Sequence, residues 1–507
     1  MRTFTCPNLD SQKAPGATLS ARSKPDLVQG QRMTISDSSA YVPTAPDEAE
    51  RRGLADRGVT AALDDPYNHD GTAHQPEAAQ DHRVARKAPN SRPSDGGSRR
   101  EALIDGAARR LNREGVRDTT LRDLAAEMNL TRAALYYYIE DREDLVFQVY
   151  RRSCDLLARA LGEAVAEGGS ALETVSRFVA RALAPGEPEM ARLTEIGLLR
   201  DNNCATVLAL HEGVVARLAA ILEAGVRAGE LRPFNPDIVA RTVVSMIHGA
   251  PVILNYPFHP VPLDPGVYLA TLQDVLMQGW AGDRNRPLAP AHVDLAPYRA
   301  RQVSAFDREA LAVARREQIM ITASRLFNHK GIDATSLEEI AAELRVTKRT
   351  LYQHVGDKRA LVTACIRRSY GITDAIEAEA ITHRNGRNTI AEAVFASLTG
   401  AAQVWLWEDI APLRVNLGFD ALSPEDRQDL TRYAQVLGEN WRGHFTALKA
   451  AGDARCMDLD ILLPMLPTAA AWLARGAPGT DEAQRARIAA QVVDVHRLGL
   501  KALQSAS

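Results

Sequence analysis

The 507-residue chain predicts an all-α fold in which a helix-turn-helix unit and the helical domain that follows it are both present twice, behind an N-terminal extension. Three observations predict this. Residues 99–146 align with 315–362 at a constant offset of 216, without a gap, and 18 of the 48 positions are identical. Compositional bias does not produce a match of that length, so the segment is a duplication. Apolar residues in both copies recur at helical spacing, as Leu103, Ile104, Ala107 and Leu111 do. Finally, each helical stretch is bracketed by residues that cap helices.

The elements follow in order. Residues 1–97 are rich in Ser, Pro, Gly, Asp and Arg without a sustained apolar period, which predicts a disordered extension. The other reading is a mis-assigned start, with Met33 as one alternative. The first unit spans 98–148. Gly115 ends its first helix in a left-handed cap. Thr120-x-x-Asp123, a capping box with Asp in place of Glu or Gln, opens a second helix over Leu121–Met128. After a break at Asn129-Leu130, Thr131 caps a third helix through Tyr138, and Asp141 starts a longer fourth.

The second unit, 314–364, repeats this plan with Ile319, Met320, Ala323, Leu326 and Phe327 as the first apolar face. Gly331 ends that helix, Ser336-x-x-Glu339 boxes the second, and Thr347 opens the third. A short helix, a tight turn and a short helix over about twenty residues make the DNA-binding helix-turn-helix. Its second helix enters the major groove with first-turn residues at the base edges. The rival is a helix pair of an ordinary bundle. Two copies, each with a capped third helix bearing the same Leu-Tyr, favour the helix-turn-helix.

Both copies resemble the tetracycline-repressor (TetR) family. The residues that carry the resemblance are Thr120, Asp123-Leu124-Ala125, Thr131, Leu135-Tyr136-Tyr137-Tyr138-Ile139, Arg142 and Leu145 in the first copy. In the second they are Ser336, Glu339-Ile340-Ala341, Thr347, Leu351-Tyr352-Gln353-His354-Val355, Lys358 and Leu361. Departures from the family pattern are mild: Ile139 and Val355 for Phe, Tyr138 for His, and Arg142 for Lys. The resemblance implies that the third helices touch DNA through Thr131, Arg132, Ala133, Tyr136, Tyr137 and Tyr138, and through Thr347, Lys348, Arg349, Thr350, Tyr352, Gln353 and His354. Chemistry agrees with those roles. The threonines cap a helix and bond a phosphate, while Arg132, Lys348 and Arg349 suit guanine or phosphate. Tyr136 and Tyr352 donate to phosphate from a rigid ring, their alternative being packing against the second helix. Arg142 and Lys358, opening the fourth helices, reach the DNA backbone, or else are solvated surface charges.

Net charge is −3, so any DNA affinity comes from local clusters. Residues 99–150 hold nine Lys/Arg against ten Asp/Glu, and 315–366 hold nine against six, which makes the first unit the weaker binder alone. Arg83, Arg86, Lys87 and Arg92 precede it, as a minor-groove arm or as a solvated linker.

The domains after each unit, 149–281 and 365–507, read as amphipathic helices, and 282–313 reads as a linker. The stretches Pro236–Asn255 and Val267–Trp280 resemble the closing helices of the family's effector domains. In that family such helices contribute two of four to a dimer interface beside a small-molecule pocket. One chain with two units therefore pairs internally or forms a homodimer of tandem chains. Trp405-x-Trp407 with Arg414 is the candidate lining of an effector pocket, the alternative being simple core packing.

The expected partners are a double-stranded DNA operator and a small-molecule effector; the resemblance implies repression. No phosphate-binding glycine loop, nucleophile elbow, HExxH or zinc spacing is present, so no enzyme, cofactor or metal is expected. His211, His248 and His444 are isolated. The start lacks an apolar signal core, and Leu459–Leu473 is broken by Pro464 and Pro467. No membrane span is read, and the cysteine usage suits a reducing cytoplasm.

Overall fold

Eight α-helices of the first copy and eight of the second are present among the described residues. A computed structural model describes residues 95–254, 262–288, 293–299, 307–382, 389–414, 417–419, 421–475 and 480–503. Residues 91–507 form a single unit. The extension read over 1–97 lies outside the described residues up to 94, as does the basic arm.

The first copy runs α1 (Asp95–Asp118), α2 (Leu121–Glu127), α3 (Arg132–Leu135), α4 (Arg142–Ala166), α5 (Ala171–Ala182), α6 (Asp201–Arg227), α7 (Pro236–Leu254) and α8 (Pro265–Gln278). The second runs α9 (Arg308–Lys330), α10 (Leu337–Glu343), α11 (Lys348–Val355), α12 (Lys358–Thr382), α13 (Ile390–Gln403), α14 (Pro424–Ala450), α15 (Leu459–Ala470) and α16 (Glu482–Leu498). The caps read from the sequence are made: Thr120, Thr131, Ser336 and Thr347 each accept from the backbone N–H three residues on. Gly331 (φ 108°) caps α9 as expected, whereas Gly115 (φ 79°) makes a kink inside α1, which continues to Asp118. No strand occurs among the described residues, only two isolated β-bridges. Helices α6 and α7 have the length and apolar content of membrane spans, yet the apolar window of α7 is 67% buried within the protein.

Each three-helix unit has its own core. Leu103, Leu124, Leu135 and Leu145 close the first; Phe327, Ile340, Leu351 and Leu361 close the second. A third, larger core joins the copies. Helices α7 and α8 pack against α15 and α16, and Val243, Ile247, Leu272, Ile461, Met465 and Val492 lie in one continuous cluster.

The contacts across this junction are reciprocal. The tail after α16 bonds to the turn after α6: Arg232 N–H to Leu500 O at 3.1 Å, and Ala502 N–H to Glu230 O at 3.1 Å. The tail after α8 bonds in the same way to the turn after α14: Arg455 N–H to Trp280 O at 2.8 Å, and Gly282 N–H to Asp453 O at 2.9 Å. Side chains repeat the pattern. Arg232 Nε donates to Gly499 O at 2.6 Å, and Arg455 Nη1 donates to Gly279 O at 2.7 Å. Exchange of equivalent patches in both directions is the mark of an isologous contact, here made within one chain. It requires glycine, since a Cβ on Gly279 would lie 2.1 Å from Arg497 O. Near the centre of the exchange, Ser245 Oγ donates to the carbonyl of Thr468, the residue at its equivalent position, at 2.6 Å.

Candidate nucleic-acid interface

Each unit turns between its second and third helices on one left-handed residue, Asn129 (φ 52°) or Arg345 (φ 55°), 216 positions apart. Asn tolerates this conformation and Arg does so at a cost. The turn closes by Leu130 N–H to Ala125 O at 2.8 Å and Val346 N–H to Ala341 O at 2.9 Å. The third helix is then anchored by one fully buried leucine, Leu135 or Leu351.

What the anchored helices leave outside is the candidate reading surface. Thr131, Arg132, Ala133, Thr347, Lys348, Arg349 and Gln353 are exposed, and Thr350 and His354 are half-buried. Tyr137 is 84% exposed, while Tyr136 and Tyr352 are 44% and 43% exposed. The last two are therefore only partly packed against the unit. Tyr138 is half-buried, edge-on to Tyr137 with centroids 5.2 Å apart.

The two third helices differ in length. The sequence pattern carries the first to Tyr138, but it stops at Leu135 and Tyr136–Tyr138 form a turn. Three successive aromatic rings crowd a helix surface, whereas Tyr352-Gln353-His354 continue to Val355 and a Gly356 cap at φ 70°.

In each third helix the first basic residue lies over the ring four residues on: the Arg132 guanidinium is 5.5 Å from the Tyr136 centroid, and Lys348 Nζ is 5.7 Å from that of Tyr352. Arg132 also donates to Tyr136 Oη at 3.3 Å. Lys348 is ion-paired with Glu338 on α10, which raises its pKa. Arg349 makes no ion pair among the described residues, so its charge is uncommitted.

Arg142 is exposed and Lys358 half-buried, at the starts of α4 and α12. Arg142 donates to Val116 O, and Lys358 reaches Asp333 O at 3.5 Å. Val116 is in the last turn of α1 and Asp333 lies just past α9, so both cations fold back on carbonyls at the ends of the first helices. With Arg117 and Arg359 they line an open groove of about 900 Å³ between the two units, around Asp333. Burial raises the Asp333 pKa against the pull of Lys358, Arg142 and Arg117.

Several residues that tie the helix-turn-helix units to the helical domains are not legible in the sequence. Asn112 and Asn328 are buried on the first helices. Asn112 Oδ1 accepts from Arg192 N–H at 3.1 Å and its Nδ2 donates to Met190 O at 2.9 Å. Asn328 does the same with Arg414 N–H at 2.9 Å and Pro412 O at 2.8 Å. Ser153 and Ser369 bind the same segments, at Ala191 N–H and Leu413 N–H. A polar residue identical between the copies on an otherwise apolar face was the available signal. Glu195 had none. Its carboxylate accepts from Ile332, Asp333 and Ala334 N–H at 2.9, 2.9 and 3.2 Å, so the first helical domain holds the turn of the second unit.

Of the candidate effector-pocket residues, Trp405 and Arg414 border one small void, and Trp407 lies apart from it. Arg414 lines a cavity of about 310 Å³, but the tryptophan there is Trp472. Trp405 borders only a void of about 20 Å³ beside Arg414. Trp407 is sandwiched between the guanidinium groups of Arg299 and Arg485, at 4.5 and 4.2 Å from its ring. Both tryptophans are buried and belong to the large core that joins the copies.

Paired units with a capped, exposed third helix on a braced second helix define a helix-turn-helix protein of the DNA-binding class. Residues 103–149 and 319–365 each match the family model described as bacterial regulatory proteins, tetR family. The chain therefore carries the N-terminal DNA-binding domain of the tetR family twice in tandem. Solved structures similar to it include apo AibR, at 20% identity and a TM-score of 0.30 over 34% of this chain and 96% of that one. AibR in complex with isovaleryl coenzyme A and operator DNA matches at 20% identity and 0.30 over 35% and 96%. The TetR family transcriptional regulator PfmR from Thermus thermophilus matches at 22% and 0.28 over 34% and 95%.

Proposed function

We propose that the chain is a transcriptional regulator that pairs its two halves internally, reads an asymmetric operator, and loses or gains DNA affinity on binding a small molecule. Repression is the family's usual sign. The observation that carries the reading is the reciprocal contact of α7 and α8 with α15 and α16, which uses within one chain the surface a dimer would use. An internal partner has a far higher effective concentration than a second chain. The contact leaves both third helices exposed, and their sequences differ: Thr131-Arg132-Ala133-Ala134 against Thr347-Lys348-Arg349-Thr350. Two different half-sites follow, about 34–36 Å apart for modules on successive turns of one DNA face.

Light scattering with footprinting tests this. A mass near 55.3 kDa with one short asymmetric footprint is expected. Twice that mass with a palindromic or doubled footprint refutes it in favour of a dimer of tandem chains. In fluorescence anisotropy against the upstream DNA, Lys348→Ala with Arg349→Ala should cost ~1–3 kcal/mol for each base-reading interaction removed. A loss equal across sequences, with a shallower salt slope, assigns these residues to phosphate. Unchanged affinity removes α11 from the interface.

A further inference from the structure

The 310 Å³ cavity lies where the two copies meet, between α6, α7 and α15. Its position differs from that of a pocket inside one helical domain. Arg192 and Arg414 both line it, and they occupy equivalent positions: each has its N–H held by the first-helix asparagine of its own copy. Equivalent residues converge on one space only when that space lies at the axis relating the copies. The Ser245–Thr468 contact, between another equivalent pair, lies in the same wall.

The rest of the wall is not symmetric. His211 and His248 come from the first copy, and the aligned positions of the second carry Ala434 and Ala471. Trp472 of the second copy aligns with Gly249 of the first. The duplication has therefore diverged here into one cavity with two unlike faces.

The lining chemistry selects a ligand class. Arg241 is satisfied, since it pairs with Glu212 and Asp237. Arg414 and Arg475 form no ion pair among the described residues, although Glu212 on the same wall acts on Arg475, and Arg414 Nε is enclosed with no hydrogen-bond partner among them. His248 Nε2 is likewise enclosed with no hydrogen-bond partner among the described residues, and His211 Nδ1 has only Glu212 Oε1 near it, at 3.7 Å. Glu195, the acid whose charge reaches Arg414, is committed to three backbone N–H groups of the second unit. Burial holds the Arg414 pKa down to about 9, which leaves the guanidinium charged near neutral pH. Unpaired buried charge is costly unless a partner arrives. Val244, Val252 and the Trp472 ring supply an apolar wall beside these cations.

We propose that this cavity binds one organic anion per chain, its carboxylate or equivalent acid held by Arg414 and Arg475 and its apolar body against Trp472, so that both copies contact a single ligand. This rests on the regulator reading and adds the ligand's charge, its stoichiometry and its place. A volume near 300 Å³ is at the small end of ligand pockets, which limits the body to about one or two rings or a short chain. Because Arg192 and Arg414 hang from Asn112 and Asn328, movement of either arginine is felt at α1 and α9.

Calorimetry on the full chain tests the proposal with hexanoate, benzoate and 1-naphthoate, each beside its neutral amide. At least one acid is expected to bind at one site per chain, tenfold or more tighter than its amide. Arg414→Gln and Arg475→Gln, each checked for an unchanged melting temperature, should both weaken that acid tenfold or more. Arg227→Gln, on α6 outside the cavity, should not. Two variants are needed in case one fails to fold. Equal binding of acid and amide, two sites per chain, affinity indifferent to both arginines, or no binding by any acid overturns the proposal. No DNA is present, so failure of the regulator reading appears separately, as loss of anisotropy signal on DNA with acid binding intact.

Discussion

Replacing Glu195 by Ala removes one carboxylate that accepts three backbone N–H groups at 2.9, 2.9 and 3.2 Å. Those groups belong to the turn between α9 and α10, and Glu195 is only 6% exposed. Gly331 lies directly against it, since a Cβ there would be 2.1 Å from Glu195 Oε2. A hydrogen bond to a charged group is worth roughly 1.5–3 kcal/mol, but water can replace the two that are part-buried. Counting the enclosed Ile332 bond in full and the others at a fraction, the turn should open about 3 kcal/mol more easily. At about 1.4 kcal/mol per tenfold, that is roughly 150-fold faster amide exchange at 332–334. Hydrogen exchange read by mass spectrometry on peptides spanning 330–337 measures it. The equivalent segment of the first unit, 116–118, serves as the internal reference. Glu195→Gln keeps one acceptor oxygen and should give a smaller increase. Exchange at 332–334 within threefold of the parent would refute the claim that the first helical domain secures the second unit.

Three further outcomes are expected. Glu338→Gln frees Lys348 from its exposed ion pair, worth about 0.2–1 kcal/mol, and should tighten DNA binding up to about fivefold in anisotropy at low salt; weaker binding would refute it. His248 and His496 have pKa values held by burial at about 3, and His496 Nδ1 accepts from Trp280 Nε1 at 3.0 Å, which requires a neutral ring. The unfolded chain takes up those protons near pH 6.5, so stability present above that pH is lost as pH falls toward about 3. The loss between pH 7 and 5 is about 2 kcal/mol per histidine, and an unchanged urea midpoint over that range contradicts it. Arg345→Gly relieves a left-handed arginine and should raise stability by about 0.5–1 kcal/mol, more than Asn129→Gly; a fall in melting temperature for Arg345→Gly alone would be the contrary result.

The sequence by itself determined what depends on near neighbours. The 216-residue repeat, the caps at Thr120, Thr131, Ser336 and Thr347, the Gly331 stop and the shared Leu-Tyr pairs all depend on a few adjacent residues. Helical period and capping chemistry are short-range, so one chain suffices to read them. Tertiary structure decided the rest. Arg142 and Lys358 turn onto the ends of the first helices because those carbonyls lie beside them only after the unit folds. Trp405 and Trp407 are core, while Trp472 meets the cavity, because enclosure depends on which helices cross above a residue. The cavity draws Arg192, His211, His248, Arg414 and Arg475 from positions up to 283 residues apart, and no local pattern marks residues that converge from such separations. The duplication was visible in the sequence; that its halves exchange the same contacts around a shared space was not, because pairing is a property of surfaces that exist only once the helices have packed.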